Sequence, residues 1–182
     1  ATVIASEDQS LAQRIQTSLS SQYLRCYTTQ DVRGVQCGGI FKNVFAIAAG
    51  CIDGLALGDN AKSAIITRGL IELQRISMHF EATAETIMGL SGLGDLIATC
   101  SSSQSRNWQF GHMVVTEPDA SKWYDTNRGQ TEGVRTIEKI MPIIVEYSLD
   151  LPIMTAVWRL IKQEASPQTI IQELMERGLK SE

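Results

Sequence analysis

The stretch that decides the fold spans residues 35–57 and reads Val35-Gln-Cys-Gly-Gly-Ile-Phe-Lys42-Asn43-Val-Phe-Ala-Ile-Ala-Ala-Gly50-Cys-Ile-Asp53-Gly-Leu-Ala-Leu57. Lys42 and Asp53 are its only charged residues. At 3.6 residues per turn, one helix face carries the lysine among small side chains and one aspartate: Gly38, Lys42, Ala46, Ala49 and Asp53. Burying a lysine is costly unless its charge or proton is used, so Lys42 is the first candidate functional residue. Close helix packing, with Lys42 extending to water, explains the same pattern.

Length and composition indicate a folded, globular protein. The 182 residues are enough for one domain with a sizeable core, or for one domain and part of another. A hydrophobic fraction of 43% and a charged fraction of 20% are typical of folded chains. The net charge of -4 and the lack of a basic run argue against a nucleic-acid partner. Because the 35–57 stretch contains two charges and four glycines, we expect no membrane insertion.

The cysteines and histidines do not form a metal-binding pattern. The four cysteines lack the short spacings of zinc or redox motifs, and only two histidines accompany them. We therefore expect no metal site, and we expect buried free thiols in the reducing cytoplasm rather than disulfides. No signal peptide is visible, and the start without methionine indicates a processed chain or a fragment.

The first 30 residues differ from the rest of the chain. Residues 2–5 and 23–28 have the composition of short strands. Between them, Ser6-Glu-Asp-Gln9 is a capping-box pattern, which predicts a helix to about Leu19. The order strand, helix, strand predicts one β-α-β unit, which is too small to stand alone as a sheet.

From residue 31 onward the sequence predicts helices and almost no strand. The periodicity of apolar residues gives these approximate helix ranges: 33–57, 59–79, 83–88, 92–100, 106–115 and from 131 onward. Predicted N-caps and N1 prolines mark several helix starts: Asp59, Ser105, Pro152, Ser166 and Pro167. We expect Pro142 to kink or break its helix and Gly178 to end the last one.

A glycine-rich segment carries a candidate carboxylate. Gly89-Leu-Ser-Gly-Leu-Gly-Asp95 has three glycines within six residues, which let the backbone approach a ligand or a helix closely. Asp95 can accept the proton of a substrate hydroxyl or hold an ammonium group. The same pattern also fits an aspartate that caps a helix after a glycine turn.

Ser105-Arg106-Asn107 predicts an anion site at the start of a helix. With Ser105 as the N-cap, the free N–H groups of the first turn and the helix dipole favour a negative charge. Arg106 adds a planar guanidinium suited to phosphate. An ordinary helix cap with a surface arginine is the alternative. Further along, Glu132 is most simply a residue that complements the dipole of its own helix.

Taken together, these motifs resemble the bacterial NAD(P)-dependent glycerol-3-phosphate dehydrogenase family. Five stretches carry the resemblance in order and spacing: 38–50, 57–60, 67–69, 90–96 and 105–107. It extends over nearly the whole chain but covers only part of the family's protein. It implies a mainly α fold, with a helical substrate domain of the 6-phosphogluconate-dehydrogenase C-terminal-like type at 31–182. Residues 1–30 resemble the terminal β-α-β portion of an N-terminal NAD(P)-binding Rossmann domain, without its glycine-rich loop.

The resemblance also implies roles for individual residues. Lys42 corresponds to the proton acceptor in alcohol oxidation, and it belongs to the set that contacts glycerol 3-phosphate: Lys42, Asp95, Ser105, Arg106 and Asn107. The positions that contact the NAD(P)H cofactor are Arg106, Gln130 and Glu132. The implied reaction interconverts sn-glycerol 3-phosphate and dihydroxyacetone phosphate for glycerophospholipid synthesis in the cytoplasm. We expect the chain alone to be inactive, because most of the cofactor would be bound by the absent domain.

Two other functions fit the same patterns. Another β-hydroxyacid-type dehydrogenase would also carry a lysine on a helix after glycines, although the predicted anion site favours a phosphorylated substrate. A non-catalytic helical module would bury the small-residue face of 38–53 against a partner helix, for example in a homodimer. The chain also departs from the family's usual pattern, since Trp108 and Gln109 stand where basic residues are common.

Overall fold

A computed structural model describes residues 1–117 and 131–176, and it begins with a small parallel sheet. Strand β1 (Thr2–Ala5), helix α1 (Gln9–Leu19) and strand β2 (Cys26–Thr29) follow one another, and the strands pair in parallel. The predicted β-α-β unit is therefore confirmed. The predicted N-cap of α1 was wrong, because Asp8 rather than Ser6 is the N-cap and accepts a hydrogen bond from the Leu11 N–H. Asp8 lies directly before the helix, where its carboxylate can reach that N–H.

The remainder of the described chain is helical, which confirms the mainly α fold. The helices that follow the sheet are α2 (Val32–Gly54), α3 (Gly58–His79), α4 (Ala84–Met88), α5 (Asp95–Cys100), α6 (Arg106–Thr116), α7 (Glu132–Glu146), α8 (Pro152–Ile161) and α9 (Pro167–Met175). A π-helical turn, Leu90–Gly94, separates α4 from α5. Ser105 and Ser166 cap their helices as predicted, and both N1 prolines are at their expected positions.

Helix α2 is the centre of the core. Its buried residues join one hydrophobic cluster with side chains from the helices around it, including Leu73, Phe110 and Ile137. The helix is long and apolar enough to cross a membrane by length and composition, and 72% of its most apolar 18-residue window is buried inside the structure. Burial against other helices on most sides accounts for the apolar character that the sequence shows over 35–57.

Glycines allow α6 to lie directly on α2. A Cβ atom added at Gly50 of α2 would overlap the backbone carbonyl of Trp108, and one at Gly111 of α6 would overlap that of Ile47. Side chains at these two positions would force the helices apart. The part of α2 around Ile47 and Gly50, which adjoins the small-residue face, is therefore covered by another helix of the same chain.

Two of the predicted helix boundaries differ from those in the structure. Asp59 is not an N-cap, because α3 begins one residue earlier, at Gly58, whose positive φ of 82° turns the chain into the helix. Helix α7 continues through Pro142, so the predicted break is wrong, while the alternative of a kink stays a prediction. Pro142 is exposed, so water can satisfy the carbonyl that loses its N–H donor. Gly178 lies outside the described residues.

Candidate active site

Lys42 pairs with Asp95 on the small-residue face of α2. The Lys42 Nζ donates a hydrogen bond to the Asp95 Oδ2 at 2.5 Å, and the two side chains are 21% and 36% exposed. The pair is thus partly desolvated, yet open enough for a small molecule to reach it. The alternative explanation, in which Lys42 only extends to water beside closely packed helices, does not describe this geometry.

The π-helical turn explains how Asp95 reaches Lys42. A Cβ at Gly38 would overlap the carbonyl of Ser91, so the turn lies directly on α2, one helical turn before Lys42. Gly92 is equally confined, against the carbonyl of Ile87. Asp95 begins α5 immediately after this turn, and the cap position is Gly94. The alternative that Asp95 merely caps a helix is therefore wrong, since its carboxylate is directed to the lysine.

The predicted anion site has an exposed part and a buried part. Ser105 caps α6, accepting a hydrogen bond from the Trp108 N–H at 3.4 Å, and Arg106 is exposed in the first turn. Asn107 is 7% exposed, and its amide donates to the Asn43 Oδ1 and accepts from the Gly133 N–H, both at 2.8 Å. The Asn107 amide is therefore bonded mainly to other residues of the protein. The exposed Arg106 side chain can contact a ligand.

Asn43 links the helices around the lysine. Its Oδ1 accepts from Asn107, and its Nδ2 donates to the Gly39 carbonyl at 3.3 Å and to the Glu132 Oε2 at 3.2 Å. Through these bonds Asn43, the residue that follows Lys42, connects α2 to α6 and α7. Sequence reasoning missed Asn43, although an asparagine inside a buried apolar helix is a signal, because a buried amide needs partners.

The structure brings some predicted residues together and leaves others apart. Lys42 and Asp95 form one pair, and Asn107 and Glu132 meet through Asn43. Gln130 lies outside the described residues. In residues 1–117 and 131–176, no three His, Cys, Asp or Glu side chains are close enough to hold a metal ion.

A groove of about 920 Å³ opens between α2, α3 and α7. Asn43 and Glu132 contribute to its lining, together with apolar side chains such as Ile40 and Ile140, but Lys42 and Asp95 do not. The groove carries titratable side chains of its own, such as His79 and Lys139, whereas the Lys42–Asp95 pair brings an ammonium and a carboxylate into direct contact. The groove lies on the Asn43 side of α2 and the ion pair on the neighbouring face.

This arrangement can move a proton and hold an anion. A lysine ammonium held by a carboxylate can donate a proton to an oxygen that gains negative charge, and it can stabilise that charge beforehand. An exposed guanidinium at the N-terminus of a helix can bind a phosphate or another anion. The fold and the site together define the class: a helical domain with a partly buried lysine–carboxylate pair, preceded by a β-α-β unit.

Comparison with known proteins identifies the family. The model of the family described as NAD-dependent glycerol-3-phosphate dehydrogenase C-terminus matches residues 31–172. The chain belongs to this family. The curated glycerol-3-phosphate dehydrogenase [NAD(P)+] of Synechocystis sp. is 43% identical over 182 residues, which are 100% of this chain and 57% of the relative. The protein of the same name from Synechococcus elongatus is also 43% identical, with 59% of its length covered.

Solved structures have the same fold. Glycerol-3-phosphate dehydrogenase from Coxiella burnetii matches with a TM-score of 0.87 and 35% identity, over 97% of this chain and 55% of that one. The Plasmodium falciparum enzyme matches with a TM-score of 0.86 over 98% of this chain and 52% of that one. At 21% identity, the second likeness concerns the fold alone. The chain spans somewhat more than half the length of the curated relatives named above.

Proposed function

We propose that this chain is the substrate-binding and catalytic domain of a glycerol-3-phosphate dehydrogenase. The reaction interconverts sn-glycerol 3-phosphate and dihydroxyacetone phosphate with NAD(P)(H). The observation that carries the proposal is the pair between Lys42 and Asp95 at 2.5 Å, in a chain that belongs to this family. The proposal concerns the whole protein, of which the chain would supply the helical part.

Lys42 is the proton donor in the reduction of the ketone. As the carbonyl carbon gains a hydride, its oxygen becomes an alkoxide, which the ammonium of Lys42 stabilises and protonates. In alcohol oxidation the neutral amine takes the hydroxyl proton back. Asp95 holds the amine in place and offers its second carboxylate oxygen to a substrate hydroxyl. In this proposal Lys42 transfers the proton and Asp95 positions both the amine and the substrate.

Arg106 binds the phosphate of the substrate. Its exposed guanidinium lies in the first turn of α6, which Ser105 caps, and the dipole of that helix adds to the attraction for a dianion. Holding the phosphate orients the reacting carbon toward Lys42. Asn107 supports this turn from inside, because its amide is bonded to α2 and α7.

The residues near the site also fit a dinucleotide cofactor. A dinucleotide needs a cation for its diphosphate and acceptors for its ribose hydroxyls, and the exposed side chains of Arg106 and Glu132 match these needs. Asn43 occupies one Glu132 oxygen and leaves the other available. When bound, NAD(P)H supplies the hydride; the chain's own residues position the substrate and move the proton.

We further propose that residues 1–30 are the end of a Rossmann domain and that 31–182 form the substrate domain. The parallel pairing of β1 and β2 around α1 supports this division, since such a unit is the repeating element of that fold. A cytoplasmic location, with the product serving glycerophospholipid synthesis, belongs to the same proposal. The four free cysteines, which are all buried, are in keeping with a reducing compartment.

A substrate comparison tests the proposed function. The chain is joined to the N-terminal part of the Synechocystis relative that it does not match, and reduction is followed by NADH or NADPH absorbance. We expect kcat/KM for dihydroxyacetone phosphate to exceed that for an unphosphorylated 3-oxo acid by about a hundredfold, the equivalent of losing a charged hydrogen bond. A preference for the 3-oxo acid would instead support a β-hydroxyacid dehydrogenase. A dimer of the 182-residue chain that neither binds glycerol 3-phosphate nor yields an active fusion would support the non-catalytic helical module.

A further inference from the structure

The far end of the Lys42 face carries a second ion pair that the proposed reaction does not use. The carboxylate of Asp53 accepts a hydrogen bond from the Lys62 Nζ at 2.5 Å, and the two side chains are 25% and 20% exposed. The same oxygen, Oδ2, accepts from the indole N–H of Trp108 at 2.8 Å. One carboxylate oxygen therefore joins α2, α3 and α6.

Two consecutive residues of α6 are thus bonded to α2 at widely separated points. Asn107 bonds to Asn43, and Trp108 bonds to Asp53. Ten residues of helix separate the two points on α2, which is a distance of about 15 Å along its axis. Because one short stretch of α6 is bonded to two points on α2 that lie far apart, its first turn cannot pivot about one bond without breaking the other. The backbone of the neighbouring residue, Arg106, is held in place together with this turn.

Packing limits the sliding of α6 in the same region. Gly50 and Gly111 bring the two backbones into contact, and the Trp108 ring stacks on His112 with centroids 5.1 Å apart. Glycine contacts determine how closely the helices approach, but they present no feature that resists rotation about the helix axis. The directional bonds of Asn107 to Asn43 and of Trp108 to Asp53 together provide that resistance.

We propose that Asp53 and Trp108 are positioning residues that hold Arg106 at a fixed place relative to Lys42. The inference rests on the proposed role of Arg106 as the phosphate ligand. Lys62 contributes by holding the Asp53 carboxylate toward α6. Neither Asp53 nor Trp108 touches the Lys42–Asp95 pair, so their effect falls on substrate binding rather than on proton transfer.

Substitution of Trp108 tests the proposal in the fusion with the Synechocystis N-terminal part. Trp108→Phe keeps an aromatic ring against His112 and removes the N–H donor. We expect KM for dihydroxyacetone phosphate to rise roughly tenfold while kcat changes less than about twofold, because the phosphate ligand is displaced and the proton donor is not. Trp158→Phe, the same change on α8, is the matched control and should alter neither constant. Trp108→Arg restores a donor to Asp53 and should return KM to within about threefold of the wild type.

Phosphate binding gives a readout that does not depend on turnover. The unmodified 182-residue chain and its Trp108→Phe variant are titrated with inorganic phosphate, and circular dichroism confirms that each is folded. We expect weaker phosphate binding by the Trp108→Phe variant. Asp53→Asn loses the charge but keeps an oxygen acceptor, so its phosphate affinity should lie between those of the wild type and Trp108→Phe. Asp53→Asn also serves as the test variant if Trp108→Phe does not fold. Equal phosphate affinity, or no binding by the wild type, overturns the proposal. Weaker binding by the variant, together with a wild-type fusion that reduces no dihydroxyacetone phosphate, would sink the proposed function and leave the positioning role standing.

Discussion

Burial of Glu72 makes the stability of this fold depend on pH. Glu72 lies on α3 with 2% of its surface exposed, and its carboxylate accepts the backbone N–H groups of Ile153 at 2.7 Å and Met154 at 3.0 Å. It thereby satisfies two of the free donors at the start of α8. Burial raises the pKa of Glu72 from 4.5 to about 7, even though both N–H donors act to lower it. The charge of Asp150 raises the pKa further, and that of Arg75 opposes it.

The sign of this pH dependence follows from whether the folded or the unfolded state binds the Glu72 proton more tightly. The folded protein binds the Glu72 proton more strongly than the unfolded chain does, so folding favours the neutral acid. This contribution to stability is fully present below pH 4.5 and is lost as pH rises through about 7. The separation of the two pKa values corresponds to about 3 kcal/mol. Above neutrality, the buried carboxylate therefore destabilises the contact between α3 and α8.

Denaturation by urea measures this dependence. Unfolding free energies are determined from about pH 4.5 to about pH 8 for the wild type, Glu72→Gln and the exposed control Glu146→Gln. Glutamine keeps one oxygen acceptor for the N–H groups of α8 and does not titrate. We expect the wild type and the control to lose about 2–3 kcal/mol more than Glu72→Gln does over this range. Parallel pH curves for the wild type and Glu72→Gln would refute the reasoning.

Three further predictions concern packing, substrate binding and the need for the rest of the enzyme. Gly111→Ala should lower the unfolding free energy by about 2 kcal/mol or more, because its Cβ would overlap the Ile47 carbonyl. The control Gly39→Ala, whose Cβ would meet open space, should raise the unfolding free energy by about 0.5–1 kcal/mol. Equal unfolding free energies of the two variants would contradict the packing of α6 on α2. In the fusion, Arg106→Ala should raise KM for dihydroxyacetone phosphate roughly thirtyfold, about 2 kcal/mol, and an unchanged KM would remove Arg106 from the phosphate site. The 182-residue chain alone should not oxidise NADH with dihydroxyacetone phosphate, and measurable turnover would contradict the assignment of cofactor binding to another part of the protein.

Local patterns were sufficient to predict most of the helices. The apolar period of 35–57 predicted α2 and the face that carries Lys42, and serine before a helix predicted the caps at Ser105 and Ser166. Errors arose where two local signals competed. Asp8 and Ser6 both suit the start of α1, and the residue immediately before the helix is the one that caps it. Pro142 lies on an exposed side of α7, where the missing N–H is tolerated.

Contacts between distant residues were beyond what the sequence could predict. The glycines before Asp95 indicated a close backbone approach, but not that the approach is to Gly38 and directs Asp95 to Lys42. The Asn43 network joins residues up to 89 positions apart, and the hydrogen bonds of Glu72 to α8 span 81 and 82. Such pairs depend on how helices pack, which no local period encodes. The family resemblance, in contrast, indicated the role of Lys42 without showing its partner's distance or exposure.

The proposed function depends above all on proton transfer by Lys42 in ketone reduction. Its most direct test is the single-turnover rate of dihydroxyacetone phosphate reduction by the Lys42→Met fusion, compared with Lys162→Met. Lys162 is another lysine in an ion pair, which it forms with Glu138 at 3.5 Å. We expect Lys42→Met to slow the rate roughly a thousandfold while cofactor affinity changes less than about threefold, as for loss of a general acid. A Lys42→Met rate within about twofold of the Lys162→Met rate would contradict the claim.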